Sequence, residues 1–297
     1  MTVSGIAGPA PAAPLGDPTG PGKVPALRYH VLDTGYCLAS EHHIMKGGAR
    51  RKVKCHSIVG LLRHPERGWF LWDAGYAPRM LSATRRLPYR LYRLATPLRI
   101  VAELAVAAQL PRFGLTASDI GTVVLSHFHA DHVAGLRDFP SARLVATRAA
   151  YDDVRSRRGV SALRRAFIPS LLPADFDRRA TLISGFDGPT LPGLGPTHDL
   201  FGDGSALLVR LPGHARGQVG MLANTEQGPV LFAADGCWLT RQVRERRPPH
   251  PITNLIVDDA HAVRSTIEGL HAFMQARPEV SIVPSHCPKA FEREVWR

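Results

Sequence analysis

One short stretch of this chain carries several side chains that can bind metal ions. Three imidazoles and one carboxylate stand within six positions, at His127, His129, Asp131 and His132. On a helix, residues two positions apart point about 200° apart around the axis, so His127 and His129 would face opposite ways. In an extended loop they project to the same side, with Asp131 and His132 at its far end. One loop can thus offer ligands to two metal ions roughly 3.5 to 4 Å apart, the spacing of two-metal hydrolytic sites.

Three further ligand-type residues stand where such a site needs them. His214, Asp235 and His286 each follow an apolar run that predicts a buried strand. Open α/β sheets place their sites just beyond the carboxyl ends of strands, so we expect these side chains to meet the loop of His127. We interpret the other histidines as ordinary polar residues: His30, His42, His43, His56, His64, His198, His250, His261 and His271.

The elements that must position these residues alternate between strands and helices. Segments 55–63 and 69–72 are apolar runs around the turn residues 64–68, which predicts a hairpin. Thr116–Asp119 has the spacing of a helix-capping box. Further strands are predicted at 122–125, 143–146, 206–211, 229–233 and 280–284, and helices at 147–172 (Tyr151, Val154 and Leu163 inward) and 259–276 (Val263, Ile267, Leu270 and Met274 inward). This alternation predicts an α/β protein.

These residues identify a resemblance to the metallo-β-lactamase superfamily, and within it to the N-acyl-homoserine lactone lactonases. The motifs are His127-x-His129-x-Asp131-His132, Pro212-Gly213-His214, Asp235 and Ser285-His286, preceded by Trp72-Asp73-Ala74-Gly75. The resemblance covers about residues 28–290. It implies a four-layer αββα sandwich with the metal ions at one edge of the paired sheets.

The resemblance also implies a role for each site residue. His127, His129 and His214 would hold one metal ion, Asp131, His132 and His286 the other, and Asp235 would bridge them. Asp73 would orient the site by hydrogen bonding to a ligand. Imidazole and carboxylate ligands suit zinc, and iron, manganese or cobalt could enter the same site. The implied reaction is attack of a bridging hydroxide on a lactone or ester, with Asp131 or Asp235 moving the proton and no organic cofactor.

The sequence departs from these lactonases at Trp238. They carry a tyrosine three residues after the bridging aspartate, placed to donate to the substrate carbonyl. An indole N–H can donate but cannot accept or ionise. Trp238 is therefore either a substrate donor or a wall of the pocket, and both interpretations stand.

The stretch from 79 to 110 is a second departure. Leu87, Leu91, Leu94 and Leu98 recur at three to four residues among arginines, which predicts helical pieces broken by two prolines. We interpret it as a helical insertion packed on the body or forming a homodimer contact. The alternative is a lid, an acyl-chain pocket or a membrane-contacting surface.

Composition bounds the remaining questions. The 297 residues allow one large domain or two ordinary ones. We expect a flexible arm at 1–25, which lacks the features of a secretory signal, and one catalytic domain at 26–297. No run is long and apolar enough to span a membrane. Four cysteines without a CxxC pair indicate a reducing cytoplasm, and we interpret Cys237 and Cys287 as packing residues.

The sequence is compatible with three functions. The first is a dimetal hydrolase of a neutral, amphipathic lactone or ester, possibly quenching a quorum signal. The second is a phosphodiesterase or ribonuclease of the same superfamily, suggested by the net charge of +12. Neither a nucleic-acid-binding arm nor a large inserted domain is evident between His132 and His214, so we expect no nucleic-acid partner. The third is a metal-binding domain without catalysis, which would be expected to lack a ligand.

Overall fold

The computed structural model describes residues 24–294. Most of the predicted arm, residues 1–23, and the last three residues lie outside this range. The carbonyls of Val24 and Pro25, where the predicted arm ends, accept hydrogen bonds from the side chain of Asn224.

Seven strands form the first sheet in spatial order β4-β1-β2-β3-β5-β6-β7. The pairs from β1 to β3 are antiparallel and those from β3 to β7 are parallel. Their bounds are β1 Arg28–Ser40, β2 Lys52–His64, β3 Gly68–Trp72, β4 Leu98–Arg99, β5 Ile120–Val124, β6 Arg143–Thr147 and β7 Ala180–Ile183.

Six strands form the second sheet in the order β13-β12-β11-β10-β9-β8. Every pair is antiparallel except β12 with β13, which run parallel. Their bounds are β8 Thr190–Leu191, β9 Gly195–Asp199, β10 Ala206–Arg210, β11 Val219–Ala223, β12 Val230–Ala234 and β13 Ser281–Pro284.

Helices cover the outer faces of the two sheets. Among the described residues α10 is the longest, and most of the others are one or two turns long. Their bounds are α1 Glu41–Ile44, α2 Arg79–Ala83, α3 Arg90–Ala95, α4 Val106–Gln109, α5 Ala130–Val133, α6 Arg148–Val154, α7 Gly159–Leu163, α8 Phe176–Arg179, α9 Thr240–Glu245, α10 Ala260–Ala276 and α11 Pro288–Glu294. None of the helices between residues 24 and 294 is both long and apolar enough to cross a bilayer.

The alternation of side chains along each strand produces the layers. On β3, Phe70 and Trp72 point between the sheets, while Leu71 packs against the outer helices. On β10, Leu208 points between the sheets and Leu207 packs under α10, against Leu270 and Phe273. Both faces of each sheet are therefore buried, and the chain folds as the predicted αββα sandwich.

Most of the predicted elements are confirmed, and the differences have physical causes. The hairpin is β2 paired with β3, and Thr116 and Asp119 form the expected capping box. The thirteen-residue β1 was not predicted, because its sequence mixes polar and apolar residues without a clean period of two. In the predicted helix at 259–276 Phe273 is buried, while Met274 lies half-exposed.

The stretch from 79 to 110 departs from its predicted packing. It contains the short helices α2, α3 and α4, as the prolines indicated. Leu98 is buried, but Leu87, Leu91 and Leu94 are exposed, so these three leucines do not pack on the body of the chain, and the homodimer contact stays a prediction. Helical periodicity identifies which residues share a face and does not say whether a partner covers it.

Candidate metal centre

The loop after β5 places its ligand-type side chains together. His129 has extended backbone angles (φ −65°, ψ 151°) and is the residue before α5, which contains Asp131 and His132. The rings of His127 and His129 lie 4.4 Å apart between centroids, and those of His127 and His132 lie 4.1 Å apart. The two histidines thus project to the same side, as the extended-loop geometry predicted.

The second sheet brings the other three side chains to the same point. His214 follows β10, Asp235 follows β12 and His286 follows β13. Nε2 of His214 lies 2.9 Å from Nδ1 of His129 and 3.1 Å from Oδ2 of Asp235. Nε2 of His286 lies 3.0 Å from the same Asp235 oxygen. The three side chains therefore meet beyond the carboxyl ends of their strands.

Gly213 lets His214 approach beneath the start of α10. Its φ is +119°, and a Cβ atom there would lie 2.2 Å from the backbone nitrogen of Val263. Only glycine fits this backbone conformation and this close approach. The amide N–H groups of Asp258 and Asp259 donate to the carbonyls of His214 and Gly213, which holds the turn against the helix start.

Seven buried side chains now surround one small space. Three triplets have ligand atoms within 4.8 Å of one another: His127 with His129 and His214, Asp131 with His132 and His286, and His127 with His132 and Asp235. The first two triplets are those the resemblance implies for the two ions. Asp235 lies between them, next to a histidine of each.

Several buried polar atoms of the ligand set have no hydrogen-bond partner in the protein. Among the described residues, Nε2 of His127, Nε2 of His132 and Oδ1 of Asp235 are buried without a hydrogen-bond partner. Buried polar atoms without partners are costly, so such groups are expected to bind something. Imidazole nitrogens and carboxylate oxygens are the donors that zinc and related cations take. The residues present therefore fit a pair of divalent cations.

Asp73 and Ser126 orient two of the histidines. Asp73 accepts hydrogen bonds from Nδ1 of His132 at 2.7 Å and from the amide and hydroxyl of Ser126, each at 2.8 Å. The Ser126 oxygen lies 3.0 Å from Nδ1 of His127. With Nδ1 donating, the lone pair of each Nε2 faces the central space. Sequence reasoning assigned Asp73 this position and gave Ser126 no role, although it directly precedes His127.

His286 is oriented through the backbone of β2. Its Nδ1–H donates to the carbonyl of His56, which directs Nε2 toward Asp131 and Asp235. The ring of His56 itself pairs with Asp33 and stacks on Phe291, away from the ligand set. Interpreting His56 as an ordinary polar residue therefore holds for its side chain but overlooked its carbonyl.

The carboxylates give the site a potential that attracts cations. Burial alone lowers the pKa of His286, but the charges of Asp235 and Asp131 outweigh it and raise the pKa to about 9. Burial, which would raise the pKa of Asp235, is likewise outweighed by His286, His214 and His132, and that pKa lies well below its usual range. Burial keeps the pKa values of His127 and His129 well below normal, so both imidazoles are neutral and able to bind a metal.

Trp238 contacts Asp235, the residue that would bridge the two ions according to the resemblance. Its indole N–H donates to Oδ2 of Asp235 at 3.0 Å, and its ring packs edge-on against His214 with centroids 5.5 Å apart. Gln242 of α9 accepts hydrogen bonds from the backbone N–H groups of Trp238 and Leu239, which fixes this turn. Trp238 also lines a cavity of about 10 Å³ with Asp235 and His214. It is thus a wall of the site whose donor faces a carboxylate.

Tyr92 reaches the site from α3, and sequence reasoning missed it. Its hydroxyl donates to Oδ1 of Asp131 at 3.3 Å, while Oδ2 of Asp131 faces His286 at 3.4 Å. Burial, reinforced by the charge of Asp131, raises the pKa of Tyr92 well above its usual value, so the phenol is neutral. No local pattern could have revealed this contact, because Tyr92 stands in a segment whose regular feature is its leucines.

Cys237 and Cys287 take no part in the metal-binding triplets of residues 24–294. Both are buried: Cys237 packs on the outer face of the second sheet and Cys287 between the sheets. Their interpretation as packing residues is confirmed.

Comparisons with known proteins agree with this geometry. The family model of the metallo-beta-lactamase superfamily matches residues 54–286. A curated relative, N-acyl homoserine lactonase AttM of Azorhizobium caulinodans, is 25% identical over 273 residues, which cover 89% of this chain and 95% of the relative.

Solved structures share the fold. An N-acyl homoserine lactone hydrolase with its product N-hexanoyl-L-homoserine at the catalytic metal centre is similar with a TM-score of 0.70 at 16% identity, covering 91% of this chain and 96% of that one. AidC, a dizinc quorum-quenching lactonase, is similar with a TM-score of 0.62 at 15% identity, covering 90% and 89%. The family match spans most of the chain and includes Asp73 and all seven ligand-type residues of the site. The chain therefore belongs to the metallo-β-lactamase superfamily, as a metal-dependent hydrolase.

Proposed function

We propose that this protein is a zinc-dependent lactonase that opens the ring ester of an N-acyl-homoserine lactone or a related neutral lactone. The observation that carries the proposal is the convergence of His127, His129, Asp131, His132, His214, Asp235 and His286 on one space. The relatives named as lactonases, one of them described as dizinc, support the substrate class and the metal. A pair of bound zinc ions would supply Lewis acidity and lower the pKa of a water molecule.

The chain's own residues prepare this chemistry. His127, His129 and His214 would hold one ion, Asp131, His132 and His286 the other, and Asp235 would contribute to both. Asp73 and Ser126 hold the imidazoles in the tautomer that leaves Nε2 free. Asp131 or Asp235 would carry the proton to the leaving alkoxide, because both carboxylates lie inside the ligand set.

The setting of the site supports a neutral, amphipathic substrate. The side chains that border the ligands include Trp238, Tyr92 and Ile256, which offer apolar surface. As part of this proposal we place the protein in the reducing cytoplasm, because its four cysteines form no CxxC pair. In such a compartment the activity would remove acyl-homoserine lactone signals.

The test is turnover on a panel of lactones, esters, thioesters and phosphodiesters, with metal content measured on the same samples. We expect about two equivalents of metal and acid release from lactones. Asp235→Asn should abolish hydrolysis, and Asp203→Asn, in a carboxylate remote from the ligands that pairs with His64, should not. Turnover of bis-nitrophenyl phosphate alone would overturn the lactonase in favour of the phosphodiesterase. A folded protein that takes up no metal would overturn both.

A further inference from the structure

The large apolar side chains that the structure leaves exposed are not scattered. Between residues 24 and 294 they fall in three segments. The most exposed are Leu87 (70%) and Leu94 (64%) in the first segment and Leu255 (84%) in the third. The complete set is Leu81, Leu87, Leu91, Leu94 and Val101 in the first segment, Val160 in the second, and Ile252, Leu255 and Ile256 in the third. Contiguous apolar surface on a folded protein marks an interaction site.

The first and third segments contact or adjoin residues of the metal centre, and the second is hydrogen-bonded to the first. The first contains Tyr92, whose hydroxyl donates to Asp131. It is joined to the second by the hydrogen bond from the amide of Gly159 to the Tyr89 oxygen at 3.0 Å. In the third, Ile256 lines a small cavity together with His129 and His214. The segments that carry the exposed apolar residues therefore lie beside the ligands or are attached to a segment that does.

Positive charge runs beside these leucines. Leu87, Leu91 and Leu94 are spaced four and three residues apart, and Arg86, Arg90 and Arg93 repeat the same spacing one position earlier. Residues 79–101 contain six arginines and neither aspartate nor glutamate. Among the described residues, Arg79 of this segment forms an ion pair, with Asp138, and Arg85, Arg86, Arg90 and Arg93 form none. An apolar stripe flanked by unpaired arginines is the pattern of a surface that lies in a bilayer interface.

We propose that this face, which we name the leucine–arginine face (residues 81–101 with Val160 and 252–256), docks on an anionic lipid bilayer. The leucines would enter the headgroup region while the arginines contact lipid phosphates, each contributing to binding. The approach to the metal centre would then face the membrane. Docking goes beyond the proposed function. The benefit of docking rests on the proposed function, because an amphipathic lactone dissolved in the lipid would reach the site directly.

Charge favours a bilayer over a second copy of the chain as the occupant. In a two-fold symmetric dimer the same patch would face itself. The five arginines of residues 81–101 would then meet a like-charged set, with no carboxylate in that segment to pair with. Anionic phospholipid provides the opposite charge along residues 81–101.

The experiment is co-sedimentation of the full-length, metal-loaded protein with vesicles of pure phosphatidylcholine and of phosphatidylcholine with 30% phosphatidylglycerol. We expect binding to the anionic vesicles that weakens as salt is raised, and little binding to the neutral ones. Arg86→Gln with Arg90→Gln should weaken binding about tenfold or more. Leu87→Gln with Leu91→Gln and Leu94→Gln should weaken it by a similar factor.

The matched control removes two positive charges at the opposite edge of the first sheet. Arg67 and Arg143 are exposed and stand at the starts of β3 and β6, whereas the site lies beyond the carboxyl ends of the strands. Arg67→Gln with Arg143→Gln should leave vesicle binding unchanged. Equal losses in the two arginine pairs, or absence of binding to anionic vesicles, would overturn the proposal. So would a stable dimer in sedimentation equilibrium that the leucine variants dissociate. Because no substrate is present, the result does not depend on lactonase activity.

Discussion

The indole N–H of Trp238 donates to Oδ2 of Asp235, the same oxygen that His214 and His286 approach at 3.1 and 3.0 Å. Oδ1 of this carboxylate has no hydrogen-bond partner among the described residues. Trp238 thus pins one oxygen of the aspartate and leaves the other directed into the site. We propose that Trp238 positions this carboxylate.

We expect Trp238→Phe to weaken metal binding about tenfold, because it removes the hydrogen bond to Asp235 while keeping an aromatic wall. The measurement is competition with a chelator of known affinity. Trp69→Phe is the matched control, since Trp69 is the second residue of β3, at the end opposite Asp73, and packs near His30. Unchanged affinity in Trp238→Phe would contradict the positioning role.

We expect Tyr92→Phe to weaken metal binding several-fold and to lower kcat, because Oδ1 of Asp131 loses its donor. Tyr89→Phe serves as the control on the same segment. Its hydroxyl oxygen accepts from Gly159 and does not contact a ligand. If both variants changed metal affinity equally, the effect would belong to the segment's packing and not to the Tyr92 hydroxyl.

Asp73→Asn should reduce metal affinity about 10-fold to 100-fold. Asp73 has a positive φ of 61°, which asparagine tolerates, so the backbone is preserved while the charge facing His132 is lost. Asp203→Asn removes the same charge from the remote pair with His64 and should leave metal affinity as it is. The comparison separates loss of an aspartate–histidine pair in general from loss of this one.

Adding zinc should raise the free energy of unfolding of protein from which metal has been removed with a chelator. A ligand that binds only the folded state stabilises it by about 2.7 kcal/mol when the free ligand concentration is 100 times the dissociation constant. The seven ligand-type side chains come from both sheets, so the unfolded chain cannot assemble the site. Urea titrations with and without zinc measure the difference. Asp235→Asn should show a smaller gain, and an equal gain would place zinc elsewhere.

The start of α10 should contribute stability that disappears in acid. The Asp259 side chain accepts hydrogen bonds from the backbone N–H groups of Ala262 and His261, which hold its pKa below its usual range. A carboxylate with a lowered pKa stabilises the fold above its ordinary pKa, and the effect is lost as pH falls through the lowered value. Asp259→Ala should therefore lower the urea midpoint at pH 7 and differ less from the parent protein as the pH is lowered below ~4. A pH-independent difference would contradict this origin.

The residues of the metal centre could be located from sequence because their signals are local. Ligand types at short spacing identified His127 to His132, and apolar runs located the strand ends that precede His214, Asp235 and His286. Parallel strand ends meet at one edge of a sheet, so the order of elements was enough to predict convergence. The same reasoning predicted a supporting position for Asp73 at the end of β3, where it accepts hydrogen bonds from His132 and Ser126.

The tertiary structure decided the contacts between segments whose sequences give no sign that they will meet. The sequence around Tyr92 does not predict its contact with Asp131. The sequence around Trp238 does not show whether its indole N–H donates to a substrate or to Asp235. The leucines at 87–94 repeat like a buried helix face, yet the fold leaves them in solvent around the site. Periodicity and motif spacing are properties of the chain alone, whereas the partner of a hydrogen bond or an apolar face exists only once distant segments have packed together.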